Sequence, residues 1–500
     1  ISKFGTSFSI ILLSFSWFLE WNWKEKQILF RKNKVVLILS ASLFLIFVLG
    51  LFQTQNIDYA LKDLKIKAPL FIIPVIFSLT KTKLDRKVIL SALILFSVSA
   101  FVASIIGFIS FQIKSDNGEI LDLRTMSPFI SLIRLSLILI FGFGFSLWGI
   151  IILKSKYKWL LLITNIWIVY FILVSESLTG IVLLPVVFIY FLVYVLKRDL
   201  KLAISLIVVL LGLSTWIVIE LKHISNLVFK NYELKIMDKT LNDRKYSHNS
   251  EVLFRENGHL VYDNFCEEEM EQEWNKRSFK KYDDTFKGFN FSSVIIRYLS
   301  SRGLSKDSVG ISELSNLELE AIQDGVTNVY YINRNPLFKR IHVACMEVRD
   351  ALELNRYVGR SIASRFVYLN TGYEIFKDNF WFGVGTGDVK DAFREKYQKA
   401  NLFKEGHYKK THNQFLTIAL SLGIFGILVF SGIVILLIKN HTGSLSYLFI
   451  LGQIIILLSM LWEDTLETQA GVSIFALLLN LFLFENDFDK ETISVKIQQK

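Results

Sequence analysis

Long apolar runs separated by short polar connections make up most of the chain. A helix needs about 20 apolar residues to cross a bilayer, and the runs are near that length or somewhat shorter. They lack the two-residue alternation of a membrane barrel, so a helix bundle is the structure that satisfies their backbone in lipid. The predicted spans are residues 5–19, 35–53, 68–80, 88–112, 127–152, 158–174, 178–196, 202–219, 413–438, 444–461 and 471–484.

This pattern predicts an all-α, polytopic membrane helix bundle with about eleven visible spans. Eight spans form an N-terminal bundle at residues 1–219, and three follow at residues 413–484. Residues 220–412 between them are polar and charged, and they are too many for a simple loop. We therefore predict a large helical domain there and a short tail at residues 485–500.

Two stretches of the predicted polar domain have clear helical patterns. Residues 291–325 predict two short helices around Gly303–Gly310. Residues 335–354 predict an amphipathic helix, because Asn335 suits a helix cap and Pro336 suits a first turn.

Positive charge in the connections indicates the orientation of the spans. The connections after the first, third, fifth and seventh spans are basic, so the positive-inside rule places them in the cytoplasm. Residues 220–412 and the acidic connection with Glu463 and Asp464 then lie outside, and the tail lies inside. The same alternation places Ile1 outside, and we expect one further span before it, about twelve in all. The basic residues are Lys24, Lys26, Arg31, Lys32, Lys34, Lys81, Lys83, Arg86, Lys87, Lys154, Lys156, Lys158, Lys197, Arg198 and Lys201.

Composition narrows the classes of partner. The chain of 500 residues has a formal net charge of +11, but much of this charge lies in the short inner connections, so we predict no nucleic-acid partner. The two cysteines, Cys266 and Cys345, require no disulfide framework, although an outer location would allow them to pair. No cluster of His, Cys and Asp has metal-ligand spacing, and we predict neither a metal nor another cofactor.

A polar cluster of Thr411, His412, Asn413 and Gln414 opens the first span after the polar domain. A histidine at the boundary of water and lipid either anchors a helix end or takes a proton from a hydroxyl near neutral pH. The polar neighbours favour the second interpretation, since Asn413 and Gln414 are suited to orient the ring. We therefore propose His412 as a candidate general base.

Three arginines are candidates for binding an anion, because a guanidinium matches phosphate with two parallel hydrogen bonds. Arg134 lies inside the span at 127–152, where a charge costs roughly 2.5–3.5 kcal/mol on insertion scales and usually faces a cavity or a partner. Arg360 precedes the next predicted helix, and Arg365 lies within it. Arg360 is the weaker candidate, and the side chain of Arg365 or Arg134 could simply extend to water. Arg365 borders an apolar face formed by Phe366, Leu369, Tyr373 and Phe376.

Two further motifs allow two interpretations each. FGVGTGD, residues 382–388, is similar to an anion-binding turn, but it lacks the Gly-Lys-Ser/Thr of a nucleotide loop, and we favour a tight connector between helices. The acidic pair Glu463 and Asp464 lies in WEDTLETQ, on the same predicted membrane face as His412. The pair consists either of solvated loop charges or of groups that bind a sugar or orient His412.

Together these features resemble the O-antigen ligase family, the polysaccharide ligase and polymerase membrane proteins of bacteria. The resemblance lies in the order of elements: many spans, a large outer segment, the arginine-bearing helix SRFVYLNTGYEI, the loop FWFGVGTGD, and then THNQFLTIALSLGIFGI. The HN-x-F-L opening and G-I-F-G-I are its most specific parts. It is firm from about Ser361 to Leu437, and the long insert and WEDTLETQ resemble Bacteroidetes-type members.

The resemblance implies that a glycan is transferred from undecaprenyl diphosphate to an acceptor hydroxyl, such as lipid A–core, on the periplasmic side of the bacterial inner membrane. It assigns His412 to activating the acceptor and Arg365 to holding the diphosphate. Family members often have an arginine in a Ser-Arg-Thr-Gly turn, where this chain has Leu178. Either Arg134 or Arg360 replaces that arginine, or the diphosphate is held differently, or this copy is impaired.

Other functions stay open at this point. An O-antigen or exopolysaccharide polymerase, or a protein O-oligosaccharyltransferase, would share the fold. A polysaccharide transporter or flippase would favour paired repeats with broken helices and charges at mid-membrane. We see no such repeat in the sequence.

The predicted orientation can be tested by thiol labelling in a background without Cys266 and Cys345. Cysteines introduced at Lys83 or Lys156 should react with an impermeant reagent only in permeabilised cells, because both connections are predicted inside. Labelling of either site in intact cells would overturn the orientation.

Overall fold

Every predicted apolar run contains a helix, and the part of the chain that the structure describes is all-α apart from two pairs of two-residue strands. In the computed structural model the described residues are 3–81, 85–116, 122–152, 158–232, 236–249, 253–286, 289–357, 362–400, 402–403, 408–441 and 445–484. They form two compact units, Ile1–Ala203 with Arg365–Lys500, and Ile204–Ser364. Arg360 and the predicted tail at 485–500 lie outside the described residues.

The first nine helices cover the predicted N-terminal spans. Among the described residues, six helices of the chain are long and apolar enough to cross a membrane, and four shorter apolar helices accompany them. The chain is therefore a multi-pass membrane protein. The nine helices are α1 (Lys3–Leu19), α2 (Trp23–Leu49), α3 (Ile57–Lys67), α4 (Pro69–Leu79), α5 (Arg86–Asp116), α6 (Leu132–Ile152), α7 (Lys158–Val174), α8 (Leu178–Leu196) and α9 (Leu200–Phe229).

The predicted span at residues 68–80 is too short to cross a bilayer. Helix α4 has 11 residues, which rise about 17 Å, against a hydrocarbon thickness of about 30 Å. It follows α3 after the single residue Ala68, because Pro69 has no N–H with which to continue the hydrogen bonds of α3. The polar helix α3 thus leads directly into an apolar one.

The second unit has its own apolar cores. The helices and strands after α9 are β1 (Arg255–Glu256), β2 (His259–Leu260), α10 (Glu267–Arg277), β3 (Thr285–Phe286), β4 (Phe289–Asn290), α11 (Ser292–Arg302), α12 (Ser308–Ser312), α13 (Asn316–Gln323) and α14 (Pro336–Leu354). Trp274, Tyr298 and Ile322 are buried in one core. Helix α9 runs past its predicted end at residue 219, and its Ile224 and Val228 share a second core with α14.

The prediction of two helices over residues 291–325 was wrong, since three helices form there. Asp307 caps α12 by accepting from Gly310 N, and Ser315 begins α13 with a capping box to Glu318. Each of these two caps starts a new helix, whereas the glycines alone had predicted a single break between two helices. The predicted cap of α14 is confirmed, because the side chain of Asn335 accepts from Leu337 N. Cys266 and Cys345 are free thiols and form no disulfide.

The remaining helices return the described chain to the first unit. They are α15 (Ala363–Asp378), α16 (Val389–Ala400), α17 (Gln414–Lys439), α18 (Ser446–Ser459) and α19 (Gln469–Leu483). Apolar side chains of α17, α18 and α19 pack with those of α2, α6 and α8 in one core, whereas α15 and α16 pack against each other and Leu420 of α17 in a second, smaller core. Fully or almost fully buried members of the larger core include Phe47, Phe141, Phe171, Phe430 and Phe475.

Helix α17 is broken at Gly423, where the loop between α15 and α16 replaces the missing helical hydrogen bonds. Val384 N donates to Leu420 O at 2.8 Å, and Ile424 N donates to Phe380 O at 2.8 Å. Gly423 has φ 69° and ψ −166°, a conformation that is essentially confined to glycine. The glycine-rich loop therefore braces the broken helix.

Gly423→Ala should destabilise the protein, whereas Gly432→Ala in the same helix should not. An added Cβ at Gly423 would lie 2.1 Å from Trp381 O, and nothing lies within 4 Å of one at Gly432. The strained conformation alone costs about 1–3 kcal/mol. The measurement is the thermal unfolding midpoint in detergent, and equal midpoints for the two variants would contradict the bracing role.

Candidate active site

Several polar side chains of the first unit meet at the connection between α18 and α19. Its segment WEDTLE contains Glu463, Asp464 and Glu467, and each acid binds a different part of the chain. The side chains of Glu463 and Glu467 are each 12% exposed. Glu463 and Asp464 both bind other parts of the chain, so the interpretation of this pair as solvated loop charges was wrong.

Arg365 is the partner of Glu463. Its guanidinium donates to Glu463 Oε1 at 2.9 Å and to Trp462 O at 2.8 Å. A guanidinium has five N–H donors, so within the described residues other donors of Arg365 remain available for a ligand. The side chain is 27% exposed, which allows a ligand to reach it.

The buried face of α15 is not the predicted apolar face. Phe366 and Tyr373 of that face are exposed, whereas Tyr368 and Ile375 are buried. Tyr368 packs against the aromatic rings of Tyr397 and Phe403, which selects the other face of the helix.

His412 lies beside the same connection. Its backbone has φ 52°, in the left-handed region, and its N–H donates to Asp464 Oδ2 at 3.2 Å. Its ring centroid lies 5.8 Å from that of Tyr368. In the described chain, which omits residues 404–407, the ring nitrogens of His412 have no hydrogen-bond partner, so the ring can take a proton from a ligand.

The surroundings of His412 favour the neutral, basic form of its ring. Burial lowers the pKa of His412, and the positive charges of Arg365 and Lys409 lower it further, against the opposing effect of Glu463. At pH 7 the ring therefore carries no charge and can accept a proton.

Asp464 binds three groups around His412. Its Oδ1 accepts from Thr417 Oγ1 at 2.8 Å and from Thr411 Oγ1 at 3.4 Å, while its Oδ2 accepts from the backbone of His412. Burial and the nearby Glu467 raise the pKa of Asp464. The carboxylate thus fixes the backbone that carries His412 and does not contact the ring by a hydrogen bond.

Asn413 and Gln414 fix the helix start, which differs from their expected role at the ring. Asn413 Oδ1 caps α17 by accepting from Leu416 N, and its Nδ2 donates to Leu461 O. Gln414 Oε1 accepts from Leu466 N at 2.7 Å. Both side chains join α17 to the connection between α18 and α19.

Arg134 reaches the same connection from α6. Its Nε donates to Thr468 Oγ1 at 2.9 Å. It lines a cavity of about 20 Å³ together with Glu463 and Thr179, which is enough space for one water molecule. Of the three candidate arginines, the structure brings Arg134 and Arg365 to Glu463, and Arg360 lies outside the described residues.

The glycine-rich loop uses its backbone donors within the protein. Gly385 N donates to Ser421 O, Thr386 N to Gly50 O and Gly387 N to Thr54 Oγ1. These donors cannot also bind an anion, so the motif is a connector, as favoured from its sequence.

Three charged residues of this region were missed from the sequence. Lys67, Lys410 and Glu467 form a buried ion-pair network next to the site. The charged residues of α3, which stand immediately before an apolar run, were a signal of this network. The spacing of residues along the sequence, however, did not indicate their distant partners. Among the described residues, no group of three or more His, Cys, Asp or Glu side chains could hold a metal ion.

A family model confirms the resemblance. The model of O-antigen ligase matches residues 326–431. Residues 326–431 are therefore similar to the O-antigen ligase family. The O-antigen ligase match includes Arg365, the glycine-rich loop and His412, and it ends before the connection that contains Glu463, Asp464 and Glu467. No curated protein matches the chain.

The pKa of His412 should respond in opposite directions to its two charged neighbours. Glu463→Gln should lower it, because a carboxylate that stabilises the imidazolium is lost, and Arg365→Met should raise it, because a repelling cation is lost. Histidine-ring NMR in detergent, with His412 assigned from a His412→Ala spectrum, measures both shifts. Glu395→Gln on the exposed side of α16 serves as the control, and shifts of the same sign would contradict the described electrostatics.

Proposed function

We propose that the chain is a glycosyltransferase that moves a glycan from undecaprenyl diphosphate to an acceptor hydroxyl, with lipid A–core as the acceptor, at the periplasmic face of the bacterial inner membrane. The observation that carries the proposal is the placement of His412 and Arg365 against one acidic connection, in a segment that is similar to the O-antigen ligase family. A general base and an anion-binding group are the two functions that this transfer requires.

In the proposed reaction the ring of His412 takes the proton of the acceptor hydroxyl. The acceptor oxygen forms a bond to the anomeric carbon of the glycan, and the bond from that carbon to the diphosphate breaks. The diphosphate leaves with the bonding electrons, and Arg365 and Arg134 offset its charge in the transition state. The diphosphate is itself the leaving group, so the proposal includes no nucleotide, metal or other cofactor.

Arg134 is the stronger candidate to replace the family arginine that is absent at Leu178. Thr179, the next residue of that turn, lines the same small cavity as Arg134 and Glu463. A guanidinium from α6 therefore reaches the region of the turn in which the family has its arginine. This proximity supports diphosphate binding by Arg134 together with Arg365.

Polymerase and protein O-oligosaccharyltransferase activities would use the same donor and differ in the acceptor. Reconstitution with an undecaprenyl-diphosphate glycan and several acceptors separates them by the product formed. The break in α17 is a feature also found in transporters, but the hydrogen bonds from Val384 and Gly385 brace it from one side. This bracing favours a fixed site over a moving helix.

His412→Ala should reduce transfer about 10²–10⁴-fold, the usual cost of losing a general base. Transfer by the unchanged protein should fall as the pH drops through the pKa of His412, below about 6.5, because the protonated ring cannot accept a proton. The variant should lack this dependence. Product formation at saturating donor and acceptor, from about pH 5.5 to 8.5, measures both effects.

His407→Ala is the paired control, since His407 precedes the same span in a blander sequence context. It should keep most of its activity and the same pH profile. A His412→Ala protein that bound donor and retained most of its turnover would contradict the proposed mechanism.

A further inference from the structure

Four charged side chains, two buried and two largely buried, form a network beside the proposed site. Lys67 Nζ lies 2.6 Å from Asp63 Oδ2 and 2.8 Å from Glu467 Oε1, and Lys410 Nζ lies 2.7 Å from Glu467 Oε2. Lys67 is 1% exposed, and its Nζ lies 4.8 Å from the centre of the Phe47 ring. Glu467 thus joins α3 to the segment that leads into α17.

The charges of this network balance. Burial alone would raise the pKa of Glu467, but Lys410 and Lys67 outweigh it and hold the pKa well below its usual range. Burial and the nearby Glu467 raise the pKa of Asp63 to about 6. At pH 7 the network therefore contains two cations and two anions, and removal of one member leaves a buried charge without its partner.

The network and the neighbouring Asp464 together hold His412 and the two residues before it. Glu467 binds Lys410, while Asp464 binds Thr411 and the backbone of His412. Two acids of one short connection therefore hold three consecutive residues. Left-handed backbone at a residue other than glycine persists only where its surroundings impose it, and these contacts impose it at His412.

We propose that Glu467 is a positioning residue for the transfer reaction: through Lys410, and anchored by Lys67, it sets the place of the His412 ring. This inference rests on the proposed function of His412. Glu467 itself has no contact with the reacting atoms in this scheme. A misplacement of about 1 Å can cost a reaction about 10²-fold, so loss of the anchor should reduce kcat more than it changes KM.

The test uses four variants of the full chain in reconstituted membranes. Glu467→Gln and Lys410→Met should each lower kcat about 10- to 100-fold and leave KM for the donor nearly unchanged. The double variant removes one anion and one cation, keeps the Asp63–Lys67 pair, and so strands no buried charge. It should fold normally and show the same loss as either single variant, because the two residues act through one contact. Glu395→Gln, which removes an exposed ion pair with Lys399, should leave kcat unchanged.

The decisive comparison repeats the double variant in the His412→Ala background. If the network acts by placing His412, the double substitution should not lower the residual rate of the His412→Ala protein any further, because the ring is already absent. A further fall equal to that seen with His412 present would assign the network a structural role and overturn the inference. Wild-type kcat in the folded double variant would overturn it as well. Full activity of His412→Ala alone would instead contradict the proposed function, so the two failures are distinguishable.

Discussion

A charge buried at the edge of a membrane must find a partner, because its desolvation is otherwise too costly. The connection between α18 and α19 satisfies this constraint three times over. Glu463 pairs with Arg365 of α15, Glu467 pairs with Lys67 of α3 and with Lys410, and Asp464 accepts from the start of α17. If one of these groups were removed, its partner would remain without a binding partner. Distant helices are therefore held at the same connection, and the candidate site forms where they meet.

Periodicity in the sequence predicted the helices well and their meeting points poorly. The positions of the apolar runs and the cap at Asn335 follow from local patterns, and each is present in the structure. The pairing of Lys67 with Glu467 joins residues 400 positions apart, and no local pattern reports such a partner. For the same reason the acidic connection was not recognised as buried. His412 was identified as a candidate from its polar neighbours and Arg365 from its place beside an apolar face, and the family resemblance then implied a role for each.

The glycine-rich loop and the break in α17 explain each other. A glycine inside an apolar run is compatible with an ordinary helix, so the sequence gives no sign of the break at Gly423. Glycine is required at position 423 for two reasons: its φ is positive, and the backbone of Trp381 approaches so closely that a side chain would collide with it. What resembles an anion site in sequence is thus a backbone brace, which holds the first half of α17 and the histidine before it.

The long separation between Lys67 and Glu467 has a consequence for biosynthesis. A chain is made from its N-terminus, so α3 is synthesised long before the connection between α18 and α19. Lys67 has two ion-pair partners, Asp63 and Glu467. During this interval only Asp63, which lies one helical turn from Lys67, has been made. The contacts that hold Lys410 and the backbone of His412 therefore cannot form until the last connection of the chain has been made.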